Sequence, residues 1–162
     1  MSKFIKLQPW IGLACRLTLG GVLFAAGYLK LGKTDISQMA VRSYELLPIP
    51  VANLLGLILP FFEVVIGLLL IFGAATRAVA ALGGFTMFIF IIAISQAWAR
   101  GLNIDCGCFG GGGLVDPGQT RYLQEILRDA GLVAMALFLI RFPVSKFSID
   151  KAPIQSNVRE TE

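Results

Sequence analysis

The chain has 162 residues, 56% hydrophobic and 15% charged, with a formal net charge of +4 and a mean hydropathy of +0.77. An ordinary soluble domain is about 45–50% apolar and roughly 25% charged, so this composition excludes a soluble enzyme, a disordered chain and a free-standing nucleic-acid binder. It points to a polytopic membrane protein, and the absence of histidine removes Ser-His and Cys-His catalysis and every His-ligated haem or metal site.

A helix that spans a bilayer needs about 20 apolar residues. The first such run is Trp10–Leu29, which carries one charge, Arg16. Lys3 and Lys6 precede it in the manner of a signal peptide, but no small-x-small site follows and more runs come after, so it is expected to be retained. Ile36, Met39, Ala40, Tyr44 and Leu47 then recur at helical spacing, Asp35 and Gln38 resemble a capping box, and Pro48 ends the pattern. This segment is expected to be a short amphipathic helix that closes one end of a bundle or docks a partner. Val51–Phe72 is the second run, with one charge at Glu63 and a kinking proline at Pro60. Ala78–Trp98 is the third, with no charge. Tyr122–Phe142 is a fourth, carrying Glu125, Arg128 and Asp129 early and a charge-free Ala130–Ile140 late.

The expected fold is therefore an all-α integral membrane protein. It is a four-transmembrane-helix bundle (spans 10–29, 51–72, 78–98 and 122–142) with the amphipathic helix between spans one and two. Residues 1–144 form the membrane domain, and 145–162 form a polar tail expected to be disordered. Four spans put both termini on one side. That side collects Lys3, Lys6, Arg77, Arg141, Lys146, Lys151 and Arg159, against Lys30, Lys33, Arg42, Arg100 and Arg121 on the other. The positive-inside bias makes the termini cytoplasmic and turns the loop 101–119 outward.

That loop holds the most unusual local feature, Cys106-Gly107-Cys108-Phe109, followed by four glycines. Two cysteines one residue apart can close a small, strained and easily reduced disulfide, a better oxidant than a structural bridge. Gly107 removes a side chain that would obstruct closure. Asp105 is expected to raise a neighbouring thiol pKa. A metal site is not expected, because zinc takes four ligands and the loop offers two cysteines and one carboxylate. A passive staple remains open, although a loop this short stabilises little. Cys15 lies near the other membrane face, too far to pair, and is expected to pack.

Charges inside spans are costly and usually paired. Depth arithmetic at ~1.5 Å per residue brings Arg16 and Glu63 within reach, as an ion pair or as a proton or quinone-headgroup site. In span four, Arg128 is expected to pair with Glu125 at i, i+3, leaving Asp129 for another helix. Small residues such as Gly20, Gly27, Gly67 and Gly84 are expected to let helices approach closely.

Three patterns together resemble the DoxX/MauE superfamily. They are Arg16…Gly20…Phe24…Gly27…Lys30-Leu31, then Pro60-Phe61-Phe62-Glu63…Gly67…Leu70…Gly73, then Cys106-Gly107-Cys108-Phe109-Gly110 followed by Arg128. The last resembles the MauE branch in particular, whose members are four-helix membrane proteins named from methylamine utilisation. The resemblance implies a thiol–disulfide oxidoreductase role outside the bacterial inner membrane. In that role Cys106 and Cys108 exchange with a thioredoxin-fold partner. Quinone is the candidate electron carrier, and Arg16, Glu63, Arg128 and Asp129 are candidates for proton handling or headgroup contact. The rival readings are a DoxX-like assembly or scaffold subunit without catalysis, and a small transporter lined by Arg16 and Glu63.

Overall fold

The computed structural model describes residues 2–150, with side chains from Leu7 onward. In chain order the elements are α1 (Ser2–Leu31), α2 (Thr34–Ser43), α3 (Ile49–Phe72), α4 (Thr76–Ala99), β1 (Ile104–Asp105), β2 (Gly113–Leu114) and α5 (Tyr122–Arg141). The fold is mostly helical. Its one departure from all-α is the two-residue antiparallel ladder that pairs Ile104 with Leu114 and Asp105 with Gly113. The cysteine loop folds back on itself there to satisfy its backbone.

Three helices among the described residues are long and apolar enough to cross a membrane: Leu7–Leu31, Ile49–Phe72 and Thr76–Ala99. α5, expected as a fourth span, is not one of them, because Glu125, Arg128 and Asp129 crowd its first two turns. The outward sides of the three long helices are apolar and exposed, as at Leu54, Phe61, Phe85 and Ile92. A belt of that extent marks a surface that meets something other than water.

Small residues set how the helices pair. α1 lies on α3 with Gly20 against Gly67 and Gly27 against Pro60 and Val64, so the two run antiparallel. A Cβ at Gly67 would stand 2.5 Å from the Phe24 nitrogen. α5 runs antiparallel to α4, with Ala136 against Gly84 at one end and Tyr122 against Trp98 at the other. Leu19, Leu23, Ile66, Leu70, Met87, Leu132 and Leu139 fill the space between the two pairs. α3 ends at Gly73, whose left-handed φ of 71° allows Ala74 N–H to reach Leu69 O and Gly73 N–H to reach Leu70 O.

The amphipathic helix is present as α2, without the expected capping box: Lys33 is its N-cap residue, with no side-chain cap, and Asp35 falls inside the first turn. Burial on α3 supplies what capping does not. Pro60 has no N–H to give to the carbonyl of Gly56, four residues back. Ser37 Oγ donates to that carbonyl instead, at 2.7 Å. The proline inside α3 and the seat of α2 are therefore one feature.

Residues 145–150, expected to open a disordered tail, are fixed. Arg16 donates to Ser145 Oγ (3.0 Å), Phe147 O (2.9 Å) and Lys146 O (3.3 Å). The carboxylate of Asp150 accepts the N–H groups of Ala75 (2.7 Å) and Thr76 (2.6 Å), which the start of α4 leaves without intrahelical partners. Partial burial works to raise the Asp150 pKa. The hydrogen bonds from Thr76 and Ala75 and the charge of Arg16 outweigh it and leave the carboxyl below its ordinary range. The remainder of the expected tail, 151–162, lies outside the described residues.

Ser37→Ala leaves the Gly56 carbonyl buried without a donor. The expected cost is about 1–3 kcal/mol, read as a lower melting temperature in detergent, with faster proteolysis of the 32–48 segment. Gly21→Ala, where a Cβ meets nothing within 4 Å, is expected to leave both unchanged.

Candidate functional site

The loop between α4 and α5 lies on α2, and glycine makes this possible. Gly107 has a φ of 71°, and a Cβ there would stand 2.5 Å from the Ala40 Cβ. Gly112, at φ 138°, also abuts Ala40. The glycine between the cysteines is thus required by its left-handed backbone and its contact with α2, beyond the room for ring closure that the sequence suggested. Tyr44 Oη donates to Cys106 O at 3.1 Å. Asp105 Oδ1 accepts Gly107 N–H at 2.9 Å. Tyr122 Oη donates to Leu102 O and accepts Ile104 N–H, so the start of α5 holds the strand leading into the motif. Ile104, Tyr44, Ile94, Ala97 and Tyr122 form a second apolar cluster beneath the loop.

Cys106 and Cys108 are both free thiols in this structure. Their side chains lie within hydrogen-bond reach, and Cys108 N–H points to Cys106 Sγ at 3.2 Å. The two differ sharply in surroundings. Cys106 is half-buried and lines an open cleft of about 540 Å³ with Asp105, Phe109, Arg121, Glu125 and Arg128. Cys108 is buried and lines a narrow interior crevice with Glu63, Phe90, Arg128 and Asp129. Arg128 borders both.

The electrostatics follow the same division. A hydrogen bond from the Cys106 thiol, helped by the Arg128 guanidinium against burial, holds the Cys108 thiol below its ordinary pKa. The hydrogen bond to Cys108, burial and the charge of Cys108 push the Cys106 thiol far up. The sequence suggested only that Asp105 would suppress a thiolate. The structure puts a cation at Cys108 and turns Asp105 toward the backbone of Gly107.

The intramembrane charges pair differently from expectation. Glu63 does not meet Arg16. It takes both hydrogen bonds of an ion pair from Lys30 Nζ, each 2.9 Å, and the two side chains are 0% and 5% exposed. The cause is the direction in which helical side chains lean, back toward the N-terminus of their own helix. Glu63 is level with the turn Phe24–Gly27. Lys30 leans toward that level, and Arg16 leans away from it to Gly73, the Ser145 hydroxyl and the Lys146 and Phe147 carbonyls. Arg128 does not pair with Glu125. Its side chain folds back so that Nε and Nη2 both reach Asp129 Oδ1 at 2.8 Å. Glu125 faces Cys106 instead. Cys15 packs against the main core, as expected, far from the loop in the sequence and in the bundle.

Of the sequence-predicted residues, the structure brings together Cys106, Cys108, Arg128, Asp129 and Glu63, and leaves Arg16 at the opposite end. Lys30 and Tyr44 join the site unforeseen, and Glu125 joins it at Cys106 and not as the partner of Arg128. Lys30 was counted as a boundary charge, and only the glycine register between α1 and α3 marked it as a partner for Glu63. Asp105, Cys106 and Glu125 bring three potential ligand atoms within 4.8 Å of one another. A closed zinc site takes four ligands, and Cys108 is not in this group. A buried carboxylate oxygen without a partner, Glu125 Oε2, makes the trio better suited to holding a proton.

Breaking a buried ion pair from one side costs about 3–5 kcal/mol, whereas apolar replacement of both partners is close to neutral. Lys30→Met is expected to lower detergent-solubilised stability by that amount, and Lys30→Met/Glu63→Leu to recover most of it. A double variant no more stable than the single would show that the pair is not what holds α1 to α3 here.

No curated protein and no solved structure matches the chain. The family model described as methylamine utilisation protein MauE matches residues 8–142, from the start of the first apolar helix to the end of α5. The chain belongs to the MauE family, and its apolar helices make it an integral membrane protein of that family.

Proposed function

We propose that this protein is a membrane thiol–disulfide redox protein whose Cys106–Cys108 pair exchanges with an extracytoplasmic thioredoxin-fold partner, supporting disulfide formation or maturation of exported proteins. The observation that carries the reading is the asymmetry of the pair. One sulfur faces an open cleft, its neighbour is buried beside a cation, and the two thiols lie within hydrogen-bond reach of each other. A passive staple needs none of this. The family is named from methylamine utilisation.

In this reading α5 is the fourth membrane-crossing helix. Its charged turns face the cysteine loop, and the chain beyond its C-terminus reaches Arg16 and Gly73 at the far end of the bundle. The termini are cytoplasmic and the cleft opens outside the bacterial inner membrane. Electrons pass between the pair and a membrane carrier of the quinone class. Of the four candidate charges for that step, Arg128, Asp129 and Glu63 remain. They line the crevice behind Cys108, whereas the contacts of Arg16 are those of a structural tie.

Two measurements test this. In detergent, titration against a glutathione couple with mass-tagging is expected to give one reversible two-electron transition, absent from Cys106→Ser/Cys108→Ser. On intact cells, an impermeant maleimide is expected to label the reduced pair. Thiols that never form the disulfide would sink the redox reading, and labelling only after permeabilisation would invert the topology.

A further inference from the structure

We propose that the two sulfurs have fixed and different roles, with electrons entering the pair from a reduced dithiol protein. Cys106 is the sulfur an incoming thiolate attacks, and Cys108 is the sulfur that leaves, received by Arg128. The inference rests on the thiol–disulfide reading above and adds its direction.

Access decides the first role. Only Cys106 lines the cleft, and Cys108 is 6% exposed with its side chain turned into the bundle. In the disulfide form a protein thiolate can approach one sulfur and not the other. Leaving-group quality decides the second. Thiol–disulfide exchange is faster when the expelled sulfur is the better thiolate, and a pair whose reduced form is stabilised is the stronger oxidant. Arg128 supplies that stabilisation. Asp129 holds two of its nitrogens through a single oxygen, its guanidinium lies 5.0 Å from the Phe109 ring, and it lines the same crevice as Cys108, near enough for its charge to favour the thiolate there. The groups facing Cys108 are Arg128 and Asp129 from α5, Glu63 from α3 with Lys30 of α1 paired to it, Tyr44 from α2 and Cys106 itself. α4 contributes the apolar Met87 and Phe90. Of these charged groups, Lys30 with Glu63 and Arg128 with Asp129 cancel in pairs. The thiolate formed at Cys108 when the disulfide opens is an added charge beside Arg128.

The partner's thiolate forms a bond to Cys106 Sγ, and the Cys106–Cys108 bond breaks toward Cys108, which keeps the electron pair as thiolate. The partner's second thiolate then attacks its own sulfur in the mixed disulfide. The bond to Cys106 breaks, and Cys106 Sγ takes the electron pair and a proton. Glu125, facing Cys106 from the cleft wall, is placed to deliver that proton. The partner dithiol is oxidised by two electrons and the pair is reduced by two. A quinone-class acceptor withdraws them with the accompanying protons.

The test uses the full chain in detergent with Cys15→Ala, and reduced glutathione as the probe. The protein is oxidised with diamide, mixed with glutathione, quenched with N-ethylmaleimide and mapped by peptide mass. Glutathione is expected on Cys106 and maleimide on Cys108, at least tenfold over the reverse. An even or reversed distribution overturns the assigned roles while leaving a redox pair. Failure of diamide to form the Cys106–Cys108 disulfide overturns the reading beneath them. In the reduced protein, alkylation of Cys108 is expected to persist to lower pH than that of Cys106. Its midpoint moves up in Arg128→Gln and partly returns in Arg128→Lys. The glutathione adduct is expected to form about tenfold more slowly in Arg128→Gln. Midpoints unmoved in both folded variants overturn the role of Arg128.

Discussion

A charge buried in an apolar bundle must be paired, and the way Arg128 pairs with the buried Asp129 governs the cysteine-loop end of this protein. Burying that carboxylate without a partner would cost several kcal/mol or more. Asp129, itself fully buried, answers with one oxygen that holds two of the guanidinium donors. This fixes Arg128 across the wall between the cleft and the crevice without exhausting its hydrogen-bonding fork. Arg128 thereby lines the crevice beside Cys108. The difference between the two cysteines draws on the hydrogen bond between the two thiols and on α5, whose Arg128 lies 20 residues beyond Cys108.

The loop in turn is held by elements whose first task is structural. Pro60 leaves a carbonyl free, Ser37 satisfies it, and α2 is thereby fixed across α3. Ala40 then meets Gly107 and Gly112, and Tyr44 holds the carbonyl of Cys106. A proline in one helix, a serine in a second and two glycines in a loop thus form a continuous support for a pair of sulfurs. Local backbone disorder at the pair would blur which sulfur is exposed. The support keeps Cys106 toward the cleft and Cys108 toward the interior.

Much of this was legible in the sequence. Long apolar runs gave three of the helices their limits to within a few residues, the spacing of Ile36, Ala40 and Tyr44 gave α2, and the CxC motif stood out by its type. Pairings between distant charges were not legible in the same way. Counting depth from the ends of runs put Arg16 beside Glu63 because it took the two run ends as level, whereas Gly20 opposite Gly67 puts Arg16 level with Ile71; the lean of helical side chains toward their own N-termini widens the gap. In two antiparallel helices the leans are opposite, and the error amounts to more than a turn. The glycine register could have corrected it: Gly27 opposite Pro60 puts Lys30 one side chain above Glu63. The Arg128–Asp129 contact was missed for another reason. Adjacent residues point to different sides of a helix, but an arginine is long enough to fold back. The hold on residues 145–150 was hidden because half of each contact is backbone or a common polar side chain: Arg16 meets the Lys146 and Phe147 carbonyls and the Ser145 hydroxyl, and Asp150 meets the Ala75 and Thr76 N–H groups.

The central claim is that the pair cycles between disulfide and dithiol in the membrane. Acid-quenched cells, alkylated with a mass tag before and after a brief pulse of dithiothreitol, report this directly. The expected result is a Cys106–Cys108 disulfide at rest that opens during the pulse and re-forms after washout, with re-formation slowed in cells depleted of quinone. A pair that remains a dithiol before, during and after the pulse would contradict it.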